Sequence, residues 1–502
     1  MAKGCSWKRF FLALIAIFFI ALKSICLAEA LQIPIPSSDR SAQVTALTHV
    51  SLVPMTEEKV VEDQTVLVQG KTIVEIGPST QVNIPEDALV IDGAGAYLLP
   101  GLADMHMHTH SDWLTAYPVS PFKLYLANGV TTIRCFGPLG GSGQYVLDWR
   151  EAIRTGKRVG PFISTCGPIL YGPLEKPRDI VRMQKSQGFD FIKLYSFLSR
   201  QEFQVVISAA RQLDFYTAGH IPFAVGLDGV IAAGLDEIAH IEELDFEFLD
   251  FDRSKTFGRM EWFGHLIECA EQQFQESFHL GLDDLEGRYG VAVSEVADTI
   301  RAARTPVCTT LVVGQGIVQK LFEPDGFLTR PETKYLPPSY LNTFRRGQEK
   351  HQVMFKGHEE FASFKSRLEL LLLRKLKQAG VVLVLSTDAG TGGMGIVPGF
   401  SLHDELQILT ENGWTPYEAI AAGTVNASKI VKAMTGRDMF GTIEMGKRAD
   451  LILVEENPLE DVAHLKDLCG VMAAGTWYDN TALQKMMALP DQKAGSNSPS
   501  LN

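Results

Sequence analysis

The sequence predicts an α/β protein: a TIM (β/α)8 barrel with a small composite β-sandwich domain built from both termini. Three observations predict it. Between residues 98 and 436, eight short apolar runs alternate with helical patterns, the signature of βα units around a parallel sheet. A β-branched, glycine-punctuated texture fills residues 44–97 and returns over 437–480, so that strand-rich pieces bracket the barrel. Finally, the 44 glycines suit an architecture with many strand-to-helix turns.

The first β-rich piece reads as strands Val44–Val53, Thr65–Val68, Thr72–Ile76 and Ala88–Ile91, separated by Gly70-Lys71, Gly77-Pro78 and Gly93-Ala94-Gly95. Its counterpart runs from Gly441 to Val454 and then from Val471 to Tyr478. The eight barrel strands are Leu98–His106, Val130–Phe136, Pro161–Cys166, Phe189–Tyr195, Phe215–His220, Glu237–Ile241, Val307–Leu311 and Val381–Thr387. Ser199–Leu213 and Ala362–Ala379 are plain intervening helices. Two insertions, about 245–305 and 314–360, do not read as ordinary βα loops and are expected to cover the active face. The tail, 490–502, is polar and Ser-rich and reads as disordered.

At the N-terminus, Lys3, Lys8 and Arg9 precede an apolar run from Phe10 to Leu22, and Ala28-Glu29-Ala30 supplies a cleavage site. These are the three regions of a secretory signal peptide, residues 1–30. Phe10–Leu22 is short for a membrane span. Lys23-Ser24-Ile25 is a poor approach to a lipidated Cys26. The expectation is an exported protein, periplasmic or secreted, with no stable membrane span after cleavage. Removing the segment takes four basic residues and one acidic residue, moving the formal charge from −13 to −16. An acidic exported body argues against nucleic acid as a partner. Five scattered cysteines remain, giving neither a disulfide framework nor the paired spacing of a structural zinc site.

The chemistry centres on Leu98-Leu99-Pro100-Gly101-Leu102-Ala103-Asp104-Met105-His106-Met107-His108-Thr109-His110. Residues two apart on a strand face the same way, so His106 and His108 present two imidazoles together, an arrangement that suits a metal such as zinc. Ser-Asp follows His110 and places it in a loop. Lys193 sits within an apolar strand, where an ammonium is costly unless neutralised or paired. His220 and His240 end the fifth and sixth strands; either alone reads as a hydrogen-bonded core histidine. Asp388 closes an apolar strand as either a helix cap or a catalytic group.

Pro-Gly-Leu-x-Asp-x-His-x-His resembles the opening motif of the amidohydrolase superfamily, metal-dependent hydrolases on a TIM barrel. The order His-x-His, Lys, His, His, Asp on strands one, four, five, six and eight fits it, over roughly residues 44–480. Gly129-Val130-Thr131-Thr132-Ile133-Arg134 and Thr415-Pro416-Tyr417-Glu418-Ala419-Ile420 are most similar to the imidazolonepropionase-like and Xaa-Pro dipeptidase branch. Cys135-Phe136-Gly137 departs from that branch, where an acidic residue is common.

The resemblance implies metal ligands His106, His108, Lys193, His220, His240 and Asp388, with Asp388 also carrying the proton. It implies two divalent ions, zinc by the imidazole-rich donors, bridged by a carbamate formed from carbon dioxide on Lys193 and sharing a hydroxide. His106 and His108 with Asp388 would hold one ion; His220 and His240 would hold the other. The expected reaction is hydrolysis of a C–N bond in a small molecule or dipeptide, such as an Xaa-Pro dipeptide or N-acyl amino acid. Tyr195, Arg134 and His403 are the substrate-side candidates, Arg134 as a partner for a substrate carboxylate or as an ion pair within the barrel. A homo-oligomer is compatible with this reading. The alternatives are a mononuclear cyclic-amide or amidine hydrolase, and a non-catalytic scaffold.

Overall fold

The run read as one strand, Leu98–His106, is two. The computed structural model describes residues 43–490 except Thr256, Gly392 and Gly393. The signal segment, Cys26 and the tail beyond residue 490 lie outside the described residues. Strands β1 (Val44–Leu52), β2 (Val61–Gln69), β3 (Thr72–Pro78), β4 (Leu89–Asp92) and β5 (Tyr97–Pro100) precede the barrel strands. The barrel strands are β6 (Leu102–Thr109), β7 (Val130–Pro138), β8 (Phe162–Thr165), β9 (Phe191–Leu194), β10 (Tyr216–Gly219), β11 (Glu237–Ile238), β12 (Val307–Cys308) and β13 (Leu383–Val384). Strands β14 (Leu451–Val454), β15 (Leu468–Ala473) and β16 (Thr476–Asp479) follow.

The break between β5 and β6 falls at Gly101. There a Cβ would lie 2.3 Å from Thr131 Oγ1, so only glycine lets the chain pass from one sheet to the next. β5 pairs parallel with β1 and antiparallel with β14, placing strands from both ends of the chain in one eight-stranded mixed sheet. The Gly441–Asp450 stretch, expected as strand, is not; regular pairing begins at Leu451.

The eight central strands are parallel and occur in the order expected, in a TIM-barrel-like α/β fold. They form a three-stranded sheet, β6-β7-β8, and a five-stranded one, β9 to β13. Bridges Cys166↔Phe191 and Leu170↔Leu194 connect β8 to β9. Bonds from Met105 N to Leu385 O, Asp388 N to His106 O and His108 N to Ala389 O connect β6 to the segment after β13. Ala103, Phe136, Phe191, Ala218, Cys308 and Val384 share one buried core with the helix Val425–Thr435. β12 and β13 are shorter than expected. Beyond them Thr309 N still donates to Val384 O and Thr310 N to Ser386 O, Ser386 N turns to Thr309 Oγ1 at 3.2 Å, and Thr310 adopts φ 54° to start the helix Leu311–Phe322.

Both insertions are helical. The first is built chiefly of Arg259–Phe274 and Leu282–Ala303, the second of Leu311–Phe322 and three short helices. The second grips the loop after β13. Buried Lys320 donates to Glu349 (3.2 Å) and to Met394 O (3.0 Å) and lies 2.7 Å from His351 Nδ1, while Arg330 donates to Gly395 O at 3.1 Å. Among the described residues no helix is long and apolar enough to cross a membrane, and the five cysteines are unpaired.

Candidate metal centre

Four histidines, a lysine and an aspartate converge where the expected strands end. His106 and His108, both buried on β6, come within 3.2 Å of one another at their Nε2 atoms. Asp388 Oδ1 lies 3.1 Å from His108 Nε2 and 3.6 Å from His106 Nε2. The rings of His106 and His240 are 4.3 Å apart, and those of His220 and His240 4.8 Å. His106, His240 and Asp388 also bring one ligand atom each to within 4.8 Å of the others, a group that draws on both halves of the expected two-ion set.

Each imidazole is anchored through Nδ1. His106 donates to Ala239 O at 3.0 Å and His108 to Gly137 O at 3.1 Å. His220 Nδ1 pairs with Glu243, whose other oxygen accepts from Ile221 N at 3.0 Å, and His240 Nδ1 pairs with Thr310 Oγ1 at 3.0 Å. A backbone carbonyl only accepts, so His106 and His108 carry a proton on Nδ1 and turn Nε2 inward. Burial, reinforced by neighbouring cationic groups, drives His106 and His220 well below the usual imidazole range and His240 to about 3, so these rings are neutral near pH 7.

Two inward Nε2 atoms and a carboxylate oxygen lie within 3.1–3.6 Å of one another. Lys193 Nζ is buried without a hydrogen-bond partner, 4.6 Å above the Phe136 ring, and burial lowers its pKa to about 8. Nitrogen and oxygen donors held this way by outer hydrogen bonds fit a divalent cation.

The backbone pays for this geometry locally. Asp388 sits at φ 62°, outside the ordinary range for a side-chain-bearing residue. Gly390, at φ 91°, passes so close to β6 that a Cβ would lie 1.8 Å from His108 O. Gly390 therefore makes room for His108 itself.

Residues 328–478 match the model of the amidohydrolase family. The matched stretch, under half of the chain, resembles the amidohydrolase family. The chain is similar to ochratoxinase of Aspergillus niger, 23% identical over 434 residues spanning 73% of this chain and 71% of that protein. Imidazolonepropionase of Geobacillus sp. (strain WCH70) is 40% identical over 82 residues, 16% of this chain and 18% of that one. Among solved structures, a Xaa-Pro dipeptidase with bound methionine in its active site matches at a TM-score of 0.59 and 20% identity. That match covers 87% of this chain and 100% of the dipeptidase, and it supports the fold.

Of the substrate-side candidates, Tyr195 lies at the site, its ring 4.1 Å from that of His220. Arg134 takes the second of its two expected roles. Its guanidinium is fully buried in the barrel, forked onto both oxygens of Glu237 and donating from Nε to Met105 O at 2.7 Å. It is a structural ion pair and has no donor left for a substrate carboxylate. His403 is corrected: it is buried on the helix Phe400–Glu411, with Nε2 donating to Asn128 O at 3.0 Å. His110 is outside the cluster, as its loop position implied, and pairs with Asp112 at 2.6 Å.

Four site residues escaped the sequence reading. Asp104 accepts from Thr387 N and Oγ1, from Tyr125 OH and from His106 N, joining the His-bearing strand to the Asp-bearing one. Burial raises its pKa to about 7. Glu243 and Thr310 set the rings of His220 and His240. Phe136, part of the departing Cys135-Phe136-Gly137, stacks on His106 at 3.9 Å between centroids. The signals were Asp104 in phase with the histidines, two residues before His106, and Glu243 three residues after His240.

Proposed function

We propose that this chain is an amidohydrolase that cleaves the C–N bond of a small amide or peptide, such as an Xaa-Pro dipeptide or an N-acyl amino acid. The observation that carries the reading is the cluster of His106 and His108 Nε2 atoms facing Asp388, beside an unpartnered Lys193. His106, His108 and Asp388 would hold one divalent ion and His220 and His240 a second, with Lys193 between them as a carbamate. Zinc is the metal this imidazole-rich set favours. Such ions supply Lewis acidity, polarising the scissile carbonyl and lowering the pKa of water. Asp388 accepts the proton of the attacking water and passes it to the departing nitrogen. Phe136 and the barrel core beneath keep the inner side of the site dry, and the outer hydrogen bonds of the four histidines fix where their lone pairs point.

A one-ion reading draws support from the His106, His240 and Asp388 group, whose ligand atoms lie within 4.8 Å of one another across the two expected ion positions. Metal analysis of the purified full chain separates the readings. About two ions per chain is the expected result, one ion would favour the mononuclear hydrolase, and none would leave the scaffold.

Export is the second part of the proposal, resting on the charged, apolar and small-residue regions of residues 1–30. Intact-mass measurement on protein from its native host should give a mature chain beginning near Leu31. An unprocessed chain beginning at Met1 in the cytosol would refute it.

A further inference from the structure

Three aromatic rings continue outward from the His220 side of the metal centre. Tyr195 lies against His220, Tyr171 is 4.7 Å from Tyr195 between centroids, and Phe197 is 5.3 Å from it. Tyr171 follows β8, and Tyr195 and Phe197 follow β9, so all three stand on the same C-terminal edge as the histidines. All three are half-buried, whereas Phe223 and Trp262 behind them are 3% and 5% exposed. Phe223 lies 6.0 Å from Phe197 and 4.8 Å from Trp262. Phe197 thus has aromatic backing, and all three rings of the outer layer keep part of their surface exposed.

We propose that this wall receives an aromatic or large apolar group next to the scissile bond, making Tyr171, Tyr195 and Phe197 specificity residues. The inference rests on the C–N hydrolase reading above and narrows its substrate class. Rings used only for packing would be covered as Phe223 and Trp262 are. Selection by charge at this edge has lost its expected residue, since Arg134 is committed to Glu237. Aromatic faces pair with rings in offset or edge-on geometry, and a bound aromatic group would extend the Tyr171–Tyr195–Phe197 series by one member.

The test uses the metal-loaded full chain and two matched pairs: N-benzoylglycine against N-acetylglycine, and glycyl-phenylalanine against glycyl-glycine. The aromatic member of at least one pair should be favoured in kcat/KM by roughly tenfold. Phe197→Leu and Tyr171→Leu, which remove a ring but keep apolar volume, should shrink that preference by roughly 2- to 12-fold per ring. The loss should fall on the KM of the aromatic substrate. Calorimetric titration with benzoate and with acetate gives a readout that needs no turnover. Tighter binding of benzoate, weakened in both variants, supports the wall even where no amide is cleaved, and only the hydrolase reading then falls. Equal binding of benzoate and acetate without preference in either pair, or a preference that both folded variants retain, overturns the proposal.

Discussion

Asp388→Asn is expected to keep most of its bound metal and to lose about 10²–10⁴-fold in turnover, the usual worth of a placed proton carrier. The side chain is isosteric, and asparagine tolerates the left-handed backbone that Asp388 adopts at φ 62° better than most residues. The bond from Asp388 N to His106 O, 2.7 Å, is untouched by the change. What disappears is the carboxylate that takes and returns a proton. Turnover measured beside metal content separates the two duties of this residue. Normal turnover would assign the proton to another group, and loss of all metal would make Asp388 chiefly a ligand.

Lys193→Ala should abolish two-ion occupancy and most activity, and added short carboxylic acids should partly restore it. The lysine is fully buried with no partner for its Nζ, an expensive placement unless something completes it. Truncation leaves a cavity above Phe136 in which a small carboxylate can take the place of the proposed carbamate. Rescue is the informative arm, because a merely structural lysine would not be replaced by formate or acetate. Full activity with two ions bound to the Lys193→Ala protein would defeat the bridging role.

The sequence was most legible where chemistry and strand periodicity coincide. Alternating histidines at the end of an apolar run, and a lysine inside one, are conspicuous because burial makes them costly; the structure brings all six expected ligands together. Strand order was legible for the same reason, each apolar run being a buried parallel strand. The two readings of Arg134 could not be separated because its position on the strand says nothing about Glu237, which arrives 103 residues later. His403 misled because a histidine near the strand-eight loop looks alike in sequence whether it faces a pocket or a backbone carbonyl. Gly101 was hidden by its neighbours: the apolar pattern runs through it, and only the approach of Thr131 shows that the strand divides there. Asp104 and Glu243 act through other residues, and such partners leave little trace in a single chain.

The Asp104 carboxylate reaches residue 387 across 283 positions of sequence. This long separation has a kinetic consequence. Local βα units can form as soon as their own residues are available, but this seam must wait until the last barrel strand has been made and found the first. Closing so long a loop costs conformational entropy before any contact repays it. His106, His108 and Asp388 therefore come into register late, after most of the helical signal has been recovered. Regain of metal affinity on refolding should lag regain of secondary structure, and any fragment ending before Thr387 carries the histidines without the strand that aligns them.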